Sequence, residues 1–334
     1  MEKFTYQNTM KRIVGAYALE GENQQQRLEL IQKIMGLGLC TGLEIPIFSN
    51  LYKEDASWLW SELGANTSNV FTMITATMEA IEENENFGLA SQNDEGRDLS
   101  LKMLASVRDI VAKLNREHNQ RIFAVEIQSA PQMKSEPETR EAFTESLLEI
   151  ASWDWSGAAI CVEHCDAFTT QHTPAKGFLT LDDEVSAVLK AREAQSRTPV
   201  GITLNWGRSA IELRDGAAVN DHISHCREAN VLYGLMYSSA SPVANAFGPA
   251  WTDAHLPLRP NTDLDPGEPT SALTSQLLQE SRMLAGDELL YDGIKTSIRP
   301  LDSPVEAKTA LVKYGLRQLN NVYKLPAYEA TITD

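Results

Sequence analysis

Residues 158–205 decide the fold. The apolar run AAICVEHCD (residues 158–166) is followed by LDDEVSAVLKAREAQ (residues 181–195), in which apolar residues recur at helical spacing, and then by a second apolar run, VGITLN (residues 200–205). A strand, a helix and a further strand in this order predict two parallel strands joined by a crossover helix. Because both runs are almost continuously apolar, we expect these strands to be buried on both faces.

The same alternation recurs along the chain, and nothing in its middle resembles an interdomain linker. We therefore predict a single domain over residues 1–334, an α/β fold of the (β/α)₈ or TIM barrel type. The predicted strands are Arg12–Ala18, Gly42–Phe48, Val70–Thr75, Arg121–Gln128, Ala158–Glu163, Val200–Asn205, Leu232–Tyr237 and Leu290–Thr296. Two helix boundaries carry their own signals, since Ser303 before Pro304 predicts an N-cap and Gly286 predicts a helix end.

Connections that leave a strand are longer than connections that enter one, as in barrels whose active site is built from the strand-to-helix loops. The longest of them, residues 238–269, is rich in proline and contains Phe247, Trp251 and His255. A loop of this length is either a lid or a disordered insertion. Its aromatic residues favour a lid.

Composition excludes several classes of partner. The chain has 29 Lys and Arg against 46 Asp and Glu, a formal charge of -17, which opposes binding to nucleic acid or to an anionic membrane. No stretch has the length and hydrophobicity of a signal peptide or a membrane span, and four scattered cysteines do not form a disulfide framework. We therefore expect a cytoplasmic protein with reduced thiols, and a homo-oligomer remains open.

Polar residues that end the predicted strands are expected to meet at the C-terminal mouth of the barrel. Glu44 and Glu126 each interrupt an apolar strand, so each carboxylate needs a polar or cationic partner, in a structural or a chemical role. Glu163 ends a clean apolar strand and is followed by His164 and Asp166. The predicted catalytic residues are Glu126, Glu163 and Lys295.

Lys295 lies at the end of the last predicted strand, and its role depends on its charge. Paired with Glu163 it would be a structural cation or a substrate anchor. With its pKa lowered by burial it could polarise a carbonyl group, act as a base or form a Schiff base. The sequence leaves both interpretations open.

A wider set of residues is predicted to bind the substrate. Arg208 could hold a carboxylate or phosphate, and Trp206 before it could stack on a sugar ring. His164 and His255 have the pKa range of general acids and bases, whereas His222 and His225 lie on a predicted helix away from the mouth and are discounted. The predicted substrate-binding residues are Glu44, His164, Asp166, Asn205, Trp206, Arg208, Ser238, Trp251 and His255.

The chain resembles the xylose-isomerase-like barrel superfamily, which contains sugar and sugar-phosphate isomerases and epimerases and apurinic endonucleases. The resemblance rests on IVGAY (residues 13–17), GLGLCTGLEIP (residues 36–46), VEHCD (residues 162–166) and GITLNWGR (residues 201–208). It spans most of the chain in layout, and it points to a family of unknown function within that superfamily.

The resemblance also implies a metal set that this sequence does not keep. Metal-dependent members bind a divalent cation with Glu, Asp, His and Glu from strands five to eight, and the matching residues here are Glu163, Asn205, Ser238 and Lys295. A lysine opposes a cation directly. We therefore expect no metal or other cofactor, with Lys295, together with Arg208, supplying the positive charge. A cation held by Glu126, Glu163, His164 and Asp166 is the alternative.

These residues favour an enzyme of carbohydrate metabolism, of isomerase, epimerase or lyase type, that acts on a sugar or sugar acid. Glu163 or Glu126 would move a proton, Lys295 and Arg208 would hold the oxyanion or acid group, and Trp206, Trp251 and Phe247 would shape the pocket. A glycoside hydrolase is a variant, since paired carboxylates can cleave glycosides. The alternative from another class is a catalytically inactive barrel that binds a sugar as a sensor or scaffold.

Overall fold

Eight parallel strands close into a barrel in sequence order, and the first strand pairs with the last. The computed structural model describes residues 10–20, 23–48, 57–60, 63–64, 66–118, 121–194 and 197–322. The strands are β1 (Lys11–Gly15), β2 (Gly42–Pro46), β3 (Asn69–Thr72), β4 (Ile122–Ile127), β5 (Ala159–His164), β6 (Val200–Asn205), β7 (Leu232–Tyr237) and β8 (Tyr291–Lys295). The predicted (β/α)₈ barrel is confirmed.

Helices surround the barrel. They are α1 (Gln24–Gly36), α2 (Ser57–Trp60), α3 (Ile74–Glu83), α4 (Asp94–Glu117), α5 (Pro137–Ser152), α6 (Leu181–Glu193), α7 (Trp206–Leu213), α8 (Val219–Glu228), α9 (Ser275–Ala285) and α10 (Val305–Asn321). None of these helices combines the length and the hydropathy that a membrane crossing requires.

Several predicted boundaries were wrong by a few residues. The first strand ends at Gly15, and Ala16–Leu19 forms a 3₁₀ turn. The third strand ends at Thr72, and the apolar run that follows it is the start of α3. An apolar run that ends a strand and then becomes the buried side of a helix shows no change of hydrophobicity, so sequence alone places the boundary poorly.

Of the two helix boundaries predicted from the sequence, the helix end at Gly286 is present and the N-cap at Ser303 is not. Gly286 ends α9 with a φ of 75°, a left-handed conformation that glycine adopts without strain. At α10 the N-cap is Pro304 rather than Ser303, and the Ser303 hydroxyl donates to the carbonyl oxygen of Pro300. The hydroxyl is therefore used to close the preceding turn.

Buried apolar side chains of the described residues form three clusters, and two of them position the site. The larger cluster packs the outer faces of the strands against the helices. A smaller cluster draws only on strand residues, and therefore fills the barrel; it consists of Ile13, Val70, Phe123, Ala124, Cys161, Met236 and Tyr291. Side chains two residues apart on a strand share a face. Glu126 and Glu163 follow Ala124 and Cys161 by two residues, so they form the next layer towards the C-terminal end.

Candidate active site at the C-terminal end of the barrel

Three carboxylates from three strands meet inside the barrel above its apolar layer. Glu44 on β2, Glu126 on β4 and Glu163 on β5 each place one oxygen within 4.8 Å of the other two. The side chains are fully or almost fully buried. Three carboxylates cannot all ionise in so small a dry volume without positive charge.

Lys295 on β8 provides part of that charge. Its Nζ lies 2.7 Å from Oε1 of Glu44 and 3.8 Å from Oε1 of Glu163. Burial alone would lower the pKa of Lys295, but Glu44, Tyr17 and Glu163 raise it well above its ordinary value. Lys295 is therefore a cation at neutral pH, which favours the anchor role over the neutral amine that a base or a Schiff base requires.

Arg208 in the first turn of α7 provides the rest. Its Nη1 lies 2.7 Å from Oε1 of Glu163, and Gln128 Nε2 donates to Oε2 of Glu163 at 2.9 Å. Burial would raise the pKa of Glu163, but Arg208 and Lys295 together lower it to about 2. Glu163 is therefore ionised at neutral pH.

Glu126 is in the opposite state. Its Oε1 accepts a hydrogen bond of 2.7 Å from the hydroxyl of Tyr291, which lies 2.5 Å from Oγ1 of Thr203. Burial, reinforced by the negative charges of Glu44 and Glu163, raises the pKa of Glu126 well above its ordinary value. One carboxyl group is thus held neutral beside another that is held ionised, the pattern by which enzymes assign acid and base roles to similar side chains.

Several buried polar atoms around this cluster have no hydrogen-bond partner among the described residues. They are Glu44 Oε2, Glu126 Oε2, Glu163 Oε1 and Asn205 Nδ2. Oε1 of Glu163 is close to Arg208, but that contact lacks hydrogen-bond geometry. Buried polar atoms are nearly always paired in folded proteins, so these atoms are available to water or to a polar ligand.

Residues 238–274, which connect β7 to α9, cover the mouth from one side. Asp253 Oδ2 lies 3.3 Å from Nε of Arg208 and 3.5 Å from Nζ of Lys176. Burial would raise the pKa of Asp253, but Arg208, His255 and Lys176 lower it. The sequence analysis missed Asp253, although it stands between the predicted Trp251 and His255.

His255 belongs to the same connection and lies beside Asp253. Its Nδ1 is 3.5 Å from Oδ1 of Asp253, and its carbonyl oxygen accepts from the amide of Ser297 at 2.7 Å. Burial, together with the positive charges of Lys295 and Arg208, lowers the pKa of His255 to about 3 despite Asp253. His255 is therefore a neutral imidazole at neutral pH.

Asn205 and Ser238 lie at the rim of the cluster. Oδ1 of Asn205 accepts from the Ser238 hydroxyl at 2.6 Å and from the amide of Arg208 at 3.4 Å, which caps α7. The cap fixes the start of the helix that carries Arg208. Asn205 therefore positions Arg208 and still has an amide nitrogen to offer a ligand.

The two tryptophans that were predicted to bind the substrate, Trp206 and Trp251, lie outside the carboxylate cluster. Trp206 is fully buried in the core between strands and helices, where it packs against Gly216. Trp251 packs on the edge of the same core, with the guanidinium group of Arg214 5.7 Å from its ring centre. α7 begins at Trp206 itself, immediately after β6, so this side chain is turned towards the helices.

His164 and Asp166 are also outside the barrel interior. His164 follows Glu163 on β5, so it points to the opposite face, where it lies between Glu184 and Glu212. Asp166 accepts from the backbone amides of the β5 to α6 connection at residues 175 and 176. Neither side chain joins the carboxylate cluster.

The metal set that the resemblance implies does not fit this site. Its last position is Lys295, whose ammonium group contacts Glu44 and approaches Glu163 at the level where a cation would have to bind them. Arg208 neutralises Glu163 from the other side, and Glu126 holds a proton. A divalent ion would have to displace two fixed positive charges and this proton.

Comparisons with solved structures show the same barrel at low sequence identity. The chain is similar to D-psicose 3-epimerase from Clostridium cellulolyticum H10, with a TM-score of 0.54 and 14% identity over 94% of this chain and 99% of that one. It is similar to a sugar phosphate isomerase/epimerase from Parabacteroides distasonis, with a TM-score of 0.52 and 11% identity over 93% and 97%. An AP endonuclease, family 2, from Brucella melitensis gives a TM-score of 0.54 and 15% identity over 92% and 98%.

Sequence comparison identifies nearer relatives. An uncharacterized protein of Salmonella typhimurium is 31% identical over 320 residues, 93% of this chain and 97% of the relative. The family model DUF4862, described as a domain of unknown function, matches residues 13–311. The structural neighbours are xylose-isomerase-like barrels, as the sequence resemblance indicated. The chain therefore belongs to the DUF4862 family and has the xylose-isomerase-like (β/α)₈ barrel fold.

Proposed function

We propose that the protein is an enzyme of carbohydrate metabolism that transfers a proton at the carbon atom next to the carbonyl group of a sugar or sugar acid, as isomerases, epimerases and lyases do. The reaction needs no divalent metal. The observation that carries this proposal is the buried cluster of Glu44, Glu126 and Glu163, with one oxygen of each within 4.8 Å of the others and Lys295 in contact with it. This arrangement raises the pKa of Glu126 and lowers that of Glu163. Perturbed carboxyl groups at the C-terminal end of such a barrel are typical of active sites.

The charges fit proton transfer next to a carbonyl group. Removal of that proton leaves negative charge on the carbonyl oxygen, which a fixed ammonium or guanidinium group stabilises in a dry site. Among the described residues, Lys295 and Arg208 are such groups in contact with the cluster. Glu126 would give its own proton to the carbonyl oxygen, and the carboxylate so formed would take the proton from the neighbouring carbon atom. Glu163, with a pKa of about 2, is a poor base and holds Lys295 and Arg208 in position.

A carboxylate already occupies the cationic side of the site. Asp253 contacts both Arg208 and Lys176, and it belongs to a surface connection rather than to the barrel. The acid group of a sugar acid has the same chemistry and would take the place of Asp253 when residues 238–269 move aside as a lid. The hydroxyl groups of the sugar acid would pair with Glu44 Oε2 and Asn205 Nδ2. The contact of Asp253 with Arg208 and Lys176 favours a sugar acid over a neutral sugar.

The proposal extends to setting and partners. A net charge of -17 supports a small-molecule substrate rather than nucleic acid. The four cysteines are free thiols, which supports a cytoplasmic location. The fold neighbours whose names include sugar epimerases support the class of substrate by analogy of fold.

Hydrogen exchange tests the proposal without knowledge of the product. The protein is incubated in D₂O with a panel of sugars, sugar phosphates and sugar acids, and proton NMR follows deuterium incorporation next to the carbonyl carbon. We expect incorporation with EDTA present, its loss in Glu126→Gln, and its retention in the control Glu145→Gln on the exposed side of α5. Incorporation that requires an added metal ion, or that survives in Glu126→Gln, would overturn the proposal.

Closure of the site favours one alternative. Glu163 and Lys295 are fully buried and Asp253 covers Arg208, as in a barrel that binds a sugar without chemistry. A ligand that raises the melting temperature of the protein with no deuterium incorporation would select that function.

An inverting glycosidase needs carboxyl groups about 6.5–9.5 Å apart, whereas oxygens of Glu44, Glu126 and Glu163 lie within 4.8 Å of each other. The retaining type stays testable by sugar release.

A further inference from the structure

A second cluster of chemically active side chains lies outside the barrel, between β5 and helices α6 to α8. His164 Nε2 is 3.1 Å from Oε2 of Glu212, and His222 Nε2 is 3.8 Å from Oε1 of the same carboxylate. One ligand atom from each of these residues lies within 4.8 Å of the others. The sequence analysis discounted His222 and did not identify Glu212, so nothing in the proposed reaction uses this group.

Outer contacts direct both imidazole rings at Glu212. Nδ1 of His164 is 2.7 Å from Oε2 of the buried Glu184, whose other oxygen accepts from the hydroxyl of Ser129. Nδ1 of His222 is 3.1 Å from the hydroxyl of Ser209. A carboxylate or hydroxyl on the far nitrogen of a histidine fixes the ring and leaves Nε2 to bind, an arrangement that recurs behind metal-ligating histidines.

We propose that His164, His222 and Glu212 bind a divalent transition-metal ion, with zinc as the representative ion, at a site separate from the carboxylate cluster in the barrel. Two imidazole nitrogens and one carboxylate are a common ligand set for zinc, and they leave a fourth position for water. Bond lengths of about 2.0–2.1 Å place tetrahedral ligands roughly 3.3 Å apart. Nε2 of His164 lies 3.1 Å from Oε2 of Glu212 and Nε2 of His222 lies 3.8 Å from its Oε1, so each histidine is close to this spacing from a different oxygen of the carboxylate.

The surroundings provide a route for the ion and a consequence of binding it. His164 is fully buried, but the side chains of Glu212 and His222 are 20% and 12% exposed, so water reaches one side of the group. Glu212 lies on α7 four residues after Arg208, which contacts Glu163 in the barrel. A bound ion would therefore tie α7 to β5 and α8.

Metal binding is tested on the whole protein, without an activity assay. After dialysis against EDTA, the protein is titrated with zinc by calorimetry, and metal analysis gives the ratio of zinc to chain. We expect one zinc ion per chain, bound at least about tenfold more weakly in His222→Ala and Glu212→Gln. The control His225→Ala, on the same helix but paired with Asp182, should bind zinc as the wild type does.

Several results would overturn the site. The first is an absence of stoichiometric zinc in the wild type, and the second is an equal loss of zinc affinity in His222→Ala and His225→Ala. The third is loss of zinc in Glu44→Gln but not in His222→Ala, which would place the ion in the barrel. Far-ultraviolet circular dichroism checks that each variant is folded. If His222→Ala is not folded, His222→Gln keeps the volume of the side chain and removes the imidazole. Cobalt as the probe adds a readout, since a tetrahedral site gives intense visible absorption that His222→Gln should lose.

Discussion

The ammonium nitrogen of Lys295 lies 2.7 Å from Oε1 of Glu44, and both side chains are buried inside the barrel. Such a pair contributes little net stability relative to apolar residues, because both charges lose their hydration. Removal of one partner is different, since it leaves the other charge buried without compensation. The pair therefore has the energetics of a site retained for its charge rather than for folding.

A double-mutant cycle tests this coupling. We expect Lys295→Met to lower the free energy of unfolding by about 3–5 kcal/mol, because Glu44 and Glu163 then face each other without the cation. Glu44→Gln should cost less, since Glu163 still lies 3.8 Å from Lys295. The double variant should lose less than the sum of the two. Urea unfolding measures each term, and strictly additive losses would contradict the coupling.

Lys33 provides the matched control for that cycle. It forms an ion pair of 2.6 Å with Glu306 at the protein surface, a distance close to that of the buried pair. Exposed pairs of this kind contribute little because water screens them. Lys33→Met should therefore leave the urea midpoint almost unchanged.

The raised pKa of Glu126 predicts how stability depends on pH. The folded state holds the Glu126 proton more tightly than the unfolded chain, where the pKa is about 4.3. Raising the pH above about 4.3 therefore destabilises the wild type through this group. Glu126→Gln removes the titrating proton and keeps the shape. Urea unfolding at pH 4 and pH 8 should show Glu126→Gln gaining stability relative to the wild type at the higher pH.

Glu163 changes the free energy of unfolding with pH in the opposite direction. Its pKa of about 2 lies below the unfolded value of about 4.3, so its contribution is complete above the unfolded value and is lost as the pH falls towards 2. The comparison at pH 4 and pH 8 lies mostly above that window. A constant difference between Glu126→Gln and the wild type across this range would contradict the neutral state of Glu126. The exposed Glu145→Gln should show no such trend.

The fold was predictable because its signal is local and repeated. Each strand is an apolar run followed by an amphipathic helix, and eight repeats leave few arrangements other than a closed barrel. The meeting of Glu44, Glu126, Glu163 and Lys295 follows from the same logic. Each is a charged residue within or at the end of a largely apolar strand, and the closed barrel brings the strands together.

What the sequence analysis missed has two different causes. Alternation along β5 places His164 opposite to Glu163, so the sequence did contain the signal that separates His164 from the barrel interior. Asp253 is different, because its contacts with Arg208 and Lys176 cross from a long connection to distant residues. No local pattern encodes the path of such a connection, and neither does any pattern pair His222 with Glu212.

Asp253→Asn tests whether this residue occupies the place of a substrate acid group. The change removes the anion from Arg208 and Lys176, so a sugar acid no longer competes with Asp253. We expect several-fold tighter binding of those sugar acids that the wild type binds, measured by calorimetry, and no gain for the matching neutral sugars. Asp263→Asn, an exposed acid in the same connection, is the control. Weaker binding in Asp253→Asn would instead indicate that Asp253 contacts the ligand or merely holds the connection closed.

Gly15 provides a steric test of the same cluster. It pairs with Lys295 between β1 and β8, and a Cβ atom at this position would lie 2.6 Å from Oε2 of Glu44 and 2.8 Å from Cγ of Lys295. Gly15→Ala should therefore push the ion pair apart, lower the free energy of unfolding by about 1–3 kcal/mol, and reduce deuterium incorporation. Gly36→Ala is the matched control, since no atom of the residues that the structure describes lies within 4 Å of the added methyl group at the end of α1. That control should be neutral or slightly stabilising, because alanine favours a helix more than glycine does. If both variants unfold at the wild-type urea concentration, the cluster is loose enough to admit a methyl group, and Lys295 and Glu44 are not held at a fixed spacing.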